Sequence, residues 1–203
     1  MSATAVRHLA SADRRLARLI RRVGPIPVAA LRKHRSPYES LVQAIVYQQL
    51  NGKAASTILG RVRALFPGKR FPAPSDLLEI PGRKLRSAGL SRAKVAAVKD
   101  IAKGTLKGQV PTSRRIARMT DIEIIERLVT LRGVGQWTVE MLLIFQLGRP
   151  DVLPVTDYGI RKGFALTYGL KELPSPREIL EYGERWRPFR TTASFYLWRA
   201  NEK

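Results

Sequence analysis

Cysteine is absent from the 203-residue chain, which excludes disulfides, thiol catalysis, iron–sulfur clusters and cysteine-ligated zinc together. Histidine is almost as scarce. Only His8 and His34 occur, both ahead of the first strong motif, so a histidine metal site or a serine–histidine triad lacks its ligands. No apolar run approaches the roughly 20 residues that span a bilayer. Acidic residues are thin: 16 Asp and Glu stand against 37 Lys and Arg, a net charge of +21. An excess of that size repels itself unless a polyanion neutralises it. Nucleic acid is the first partner this implies, and an anionic membrane surface the second. No internal repeat, low-complexity tract or obvious linker interrupts the chain.

What remains is ample material for a core. Hydrophobic residues make up 44% of the sequence, enough for one sizeable domain or one domain of two lobes. The pattern is helical nearly throughout, with no alternating strand, and predicts an all-α domain of about ten helices. The Arg-rich start, "MSATAVRHLASADRRLARLIRR", resembles a transit peptide in composition but reads better as a first helix, with Leu9, Leu16, Leu19, Ile20 and Val23 at helical spacing. "SPYESLVQAIVYQQL" begins with Ser36 as cap, Pro37 at the first helical position and Glu39 three residues after the cap. "GKAASTILGRVRALF" is stopped by Pro67 and Gly68. Ser75 is expected to cap "SDLLEI" and Ser91 to begin "SRAKVAAVKDIAKGTL". Thr120 with Glu123, and "SPRE" with Pro176, have capping-box spacing.

Two helices flank "LRGVGQ". A connection this short makes them antiparallel neighbours. Gly133 and Gly135 permit positive dihedrals and let the main chain approach an outside group. The second helix then begins with unsatisfied N–H groups, a site suited to a phosphate oxygen. A grip of that kind positions a protein on DNA without reading bases. On its own the Gly-x-Gly turn also serves plain packing.

The residues that follow sharpen the reading. "LRGVGQWT", the loop "GRPDVLPV" and "TDYGIRK" resemble the helix-hairpin-helix, Gly/Pro-rich loop and catalytic aspartate of a DNA glycosylase superfamily. "LVQAIVYQQLNGKAA" and "ERWRPFRTTASFYLWRA" are similar to its alkylation-repair branch, the 3-methyladenine DNA glycosylase II type. The likeness runs from about residue 36 to 200, and the chain has no room for the extra N-terminal α/β domain of larger members, so it resembles the compact ones. The resemblance implies two helical lobes around a DNA-binding cleft, one of residues 36–147 with the hairpin and one of 1–35 plus 148–203. It implies a partner, double-stranded DNA with damaged bases, and a reaction, hydrolysis of the N-glycosidic bond of a flipped alkylated purine.

Site residues follow from the same likeness. Asp157 becomes the catalytic carboxylate, stabilising an oxocarbenium-like sugar and orienting the water; on the residues alone it is equally a helix cap, and the two roles are compatible. Trp137, Trp198, Tyr47 and Met141 would wall the base pocket, although residues of these types also serve as core. Leu50, with Gln49 beside it in "QQLN", would be the wedge that fills the hole left by the base. Gly133, Gly135, Gln136, Thr138, Arg161, Lys162, Lys53 and Ser56 are candidates for phosphate contacts. Carbonyls of Val129, Leu131 and Val134 would hold a monovalent Na+ or K+. No other cofactor and no iron–sulfur cluster is expected.

Trp137 occupies the slot where backbone-cleaving relatives carry a Schiff-base lysine, which implies a monofunctional enzyme; the spacing of Lys162 and Lys53 gives neither the role of substitute. A cationic alkylpurine leaves without a second acid, which suits a chain with no histidine after position 34. The competing readings are a non-catalytic helix-hairpin-helix module that binds DNA or senses lesions, and a basic RNA-binding protein. A monomer is expected, located in the cytoplasm with the nucleoid in a prokaryote or in the nucleus of a eukaryote, and away from membranes.

Overall fold

The structure, a computed structural model, describes residues 1–27 and 35–202. Among these residues there are thirteen α-helices and no strand, in two compact units: Met1–Lys33 with Leu143–Lys203, and His34–Leu142.

The first unit begins with α1 (Ala3–Ala12) and α2 (Arg14–Val23). The single N-terminal helix expected from the apolar spacing is therefore two, broken at Asp13. Leu9 and Leu16 stay buried on both sides of the break, so periodicity alone hides it. Asp13 is extended; its N–H donates to the Leu9 carbonyl while its Oδ1 accepts the N–H groups of Arg15 and Leu16, ending one helix and starting the next. Its Oδ2 accepts the Tyr168 hydroxyl and the Trp186 indole N–H. The carboxylate is only 5% exposed. Burial pushes it up, but the hydrogen bonds from Leu16, Tyr168, Trp186 and Arg15 together hold it below the ordinary aspartate range.

The second unit runs α3 (Pro37–Tyr47), α4 (Gly52–Ala64), α5 (Pro74–Glu79), α6 (Gly82–Ser87), α7 (Arg92–Leu106), α8 (Ser113–Ile116), α9 (Asp121–Leu128) and α10 (Gln136–Leu142). Its start signals are local. Ser36 and Glu39, and Thr120 and Glu123, exchange the expected side-chain and backbone bonds, and Ser91 caps α7. Ser75 does not cap α5. That helix starts two residues earlier, at Pro74 with Ala73 as cap, and Asp76 returns its carboxylate to the Ala73 N–H at 2.7 Å. α3 buries Leu41, Val42, Ile45 and Val46, and packs on α4, α7 and α10. Each such side chain contributes about 1.5–3 kcal/mol by leaving water.

The first unit resumes with a π-helical turn (Leu143–Leu147), then α11 (Tyr158–Tyr168), α12 (Pro176–Gly183) and α13 (Arg190–Arg199). Ser175 and Glu178 form the third capping box. α11 lies against α13, and two glycines one helical turn apart decide how closely. A Cβ on Gly163 would stand 1.9 Å from the Leu197 carbonyl oxygen, and one on Gly159 2.9 Å from Trp198 Cδ1. A side chain at 163 runs into the backbone of α13, and one at 159 displaces the Trp198 indole.

Candidate DNA interface and catalytic carboxylate

In the second unit the turn between α9 and α10 needs Gly133 twice over. Its φ is +75°, and a Cβ there would lie 2.9 Å from Ala97 Cβ. Gly135 is different: a Cβ would meet nothing within 4 Å. Nothing inside the protein demands glycine at that exposed position, so the bare main chain faces open space.

The expected contact by Thr138 is corrected. It is 1% exposed, its hydroxyl accepts from Gln48 Nε2 at 3.0 Å, and its N–H goes to the Gly135 carbonyl. It is an internal brace, and a phosphate would have to be met by groups earlier in the turn. Gln136 is exposed, and Trp137 and Met141 behind it are half-buried.

The loop after α3 lies in the same unit. Gln48 ends the helix and also donates to the Gly133 carbonyl at 3.1 Å. Gln49 holds φ +56°, a left-handed conformation that costs a non-glycine residue about 1 kcal/mol. Leu50 follows, 39% exposed, an apolar side chain offered to solvent at a loop tip. Asn51 caps α4, whose first turns carry exposed Lys53 and Ser56. Tyr47 is half-buried. Gln48 was not among the expected site residues; its partners lie 85 and 90 residues away.

In the first unit the Pro-rich loop ends in a turn, with the Asp157 N–H on the Pro154 carbonyl at 2.9 Å. Asp157 is the N-cap of α11, as its position before "YGIRKGF" suggested, and its Oδ1 accepts the Ile160 N–H at 2.9 Å. The same oxygen accepts the indole N–H of Trp198, also at 2.9 Å. The close α11–α13 crossing makes this reach short, and Asn201 adds to it by donating to the Gly159 and Leu197 carbonyls. Trp198 stacks on Phe145 (5.7 Å, 22°) and meets Phe195 edge-on. One ring face is thus occupied, and the residue expected only as a pocket wall also fixes the carboxylate.

The far end of the loop is clamped to α13. Arg190 Nε lies 2.8 Å from Asp151 Oδ1, and Arg187 2.6 Å from Oδ2. Burial raises the Asp151 carboxyl, but Arg190 and Arg187 hold it below its ordinary value. Thr191 accepts the Val152 N–H and donates to the Arg149 carbonyl, and Ser194 donates to the Val152 carbonyl. Of the remaining candidates, Lys162 is exposed on α11, whereas Arg161 is half-buried with Nε on the Pro174 carbonyl. Tyr158, not anticipated, is 65% exposed beside Asp157.

Asp157 and Trp198 thus come together in one unit, and Gln49, Leu50, Gly133, Gly135 and Thr138 belong to the other. The family described as HhH-GPD superfamily base excision DNA repair protein matches residues 42–188. The chain is 37% identical over 195 residues to DNA-3-methyladenine glycosylase 1 of Schizosaccharomyces pombe, covering 96% of this chain and 86% of that protein. It is similar to the solved structure of the S. pombe 3-methyladenine DNA glycosylase Mag1 in complex with abasic DNA (TM-score 0.90, 37% identity, 97% and 96% of the two chains). A DNA-3-methyladenine glycosidase from Bacillus halodurans superposes with TM-score 0.85 at 34% identity, covering 99% and 91%.

Proposed function

The chain belongs to the HhH-GPD superfamily of base excision DNA repair proteins, and from that premise we propose that it is a monofunctional DNA N-glycosylase for alkylated purines of the 3-methyladenine and 7-methylguanine class. Its partner is double-stranded DNA, which a chain of charge +21 attracts strongly. It works as a monomer.

The observation that carries this reading is the geometry of Asp157. Two N–H donors, from Ile160 and Trp198, converge on Oδ1 and fix the carboxylate's orientation. An aligned carboxylate about 4 Å from a developing cation contributes roughly 4 kcal/mol at an effective dielectric of 20. That interaction strengthens as the glycosidic bond breaks and the sugar becomes oxocarbenium-like, so it lowers the barrier rather than merely binding substrate. A base already cationic through alkylation leaves without a protonating group. A non-catalytic DNA binder needs no carboxylate so held.

Within the hairpin unit, Leu50 with Gln49 fills the space vacated by the extruded base. In that unit Trp137, Tyr47 and Met141 are the base-facing side chains, and in the unit of Asp157 it is Trp198. The main chain at Gly133, Gly135 and Gln136 meets phosphate, and Lys53 and Ser56 at the start of α4 and Arg161 and Lys162 on α11 are further candidates for phosphate contacts. Carbonyls of Val129, Leu131 and Val134 suit a hard monovalent ion. Leu131's accepts the Val134 N–H at 3.1 Å and keeps a second lone pair for it. Such an ion would add positive charge beside the phosphate.

Asp157→Asn is the decisive variant, because the amide oxygen can still accept from Ile160 and Trp198 while the charge is gone. Base release from duplex DNA carrying 7-methylguanine is expected to fall at least about 100-fold, with binding to an abasic-site duplex retained. A variant that excises at the parent rate overturns the assignment. Strand scission of an abasic duplex without alkali would overturn the monofunctional part alone.

A further inference from the structure

One face of α7 carries both DNA-facing loops of the second unit. Lys94, Ala97 and Asp100 follow one another at intervals of three residues, so they share that face. Lys94 Nζ donates to the carbonyls of Val46 and Gln48, at 2.8 Å each. These belong to the end of α3, where helix carbonyls lack partners and positive charge is favoured. Ala97 lies directly beneath Gly133, close enough to forbid a side chain there. Asp100 accepts the Arg132 N–H at 2.8 Å. The helix therefore holds the loop of Leu50 at its first turn and the hairpin turn one to two turns further along. Gln48 closes the circuit: its own carbonyl is bound by Lys94, and its side chain donates to the Gly133 carbonyl and the Thr138 hydroxyl.

We propose that this face of α7 is a mounting that fixes the distance between the wedge and the phosphate-gripping turn, with Lys94 and Gln48 as positioning residues for base extrusion. The inference rests on reading Leu50 as the wedge and the hairpin as the grip. Extrusion needs both: the turn holds the backbone while the leucine enters the stack, and slack between them lets the base fall back. Gln49, directly after Gln48, takes the left-handed conformation that turns the chain just before Leu50. Neither positioning side chain touches the reacting atoms. Lys94 is half-buried, and burial lowers its ammonium pKa below the ordinary lysine range.

The test is a double-mutant cycle on the full-length protein. The variants are Lys94→Met, which keeps the stem and removes the donors, Lys94→Arg, Leu50→Ala, and Lys94→Met with Leu50→Ala. The readouts are 2-aminopurine fluorescence for extrusion, single-turnover release of 7-methylguanine, and affinity for undamaged duplex. Lys94→Met should lower both extrusion and single-turnover rate about tenfold, leave undamaged-duplex affinity within about twofold, and be restored to within about threefold by arginine.

In the Leu50→Ala background the same change should cost less than about twofold, since there is no wedge left to position. Gln48→Leu should behave like Lys94→Met and serves if the latter does not fold. A parental rate for Lys94→Met, a loss undiminished without Leu50, or an equal loss of undamaged-duplex affinity overturns the proposal. If Leu50→Ala itself extrudes normally, the wedge reading falls with it; if Leu50→Ala is impaired while Lys94→Met is not, only the mounting falls.

Discussion

Replacing Trp198 by phenylalanine keeps a ring against Phe145 and Phe195 and removes the indole N–H that Asp157 accepts. One hydrogen bond to a charged group contributes about 1.5 kcal/mol, so base excision should slow roughly tenfold while the melting temperature drops by only a few degrees. Single-turnover rates and thermal melts separate the two effects; a variant that loses stability but not rate would mean that Trp198 only packs. Asp13 makes the complementary case, a carboxylate with a structural task. Its folded pKa is depressed, so its contribution is complete above the unfolded value, about 3.9, and drains away as pH falls through the lower folded value. Asp151 acts in the same direction. The melting temperature should therefore hold steady down to about pH 4 and fall below it, less steeply in Asp13→Asn. An unchanged acid slope in that variant would remove Asp13 from the explanation.

At the scale of the element, glycines of one type have opposite consequences. Gly163→Ala drives a methyl into the Leu197 carbonyl and parts α11 from α13; a cost of about 2–3 kcal/mol and a large loss of excision are expected, read by urea unfolding and base release. Gly60→Ala on α4, where a Cβ meets nothing, should stabilise by up to about 1 kcal/mol. Equal effects at the two sites would contradict the close crossing. Elements also show what a sequence can and cannot announce. Capping boxes at Ser36, Thr120 and Ser175 were legible because both partners lie three residues apart. Asp157 was legible as a cap for the same reason.

Its bond to Trp198 spans 41 residues, and nothing in local pattern records it; likewise Gln48 meets Thr138 only because α3 and α10 pack together. The break at Asp13 was missed because the apolar stripe continues across it, and α6 and α8 because six- and four-residue helices are too short for a period to show. Ser75 was misread because Pro74 at the first position and Asp76 at the third together set the boundary two residues earlier.

For the molecule as a whole, charge dominates. With net +21, binding to duplex DNA should weaken steeply as salt rises, and log affinity should be linear in log salt. A flat response in a titration from low to moderate salt would count against a phosphate-based grip. The division of the chain has its own effect during synthesis. The unit with the hairpin, His34–Leu142, is one uninterrupted stretch, whereas the unit with Asp157 and Trp198 joins Met1–Lys33 to Leu143–Lys203. On the ribosome, domains that are contiguous acquire their structure as they emerge. The unit with the hairpin is complete first, and the unit with Asp157 must wait for the residues after 142. A nascent chain of that length already carries the hairpin turn while its Asp157 has yet to be made.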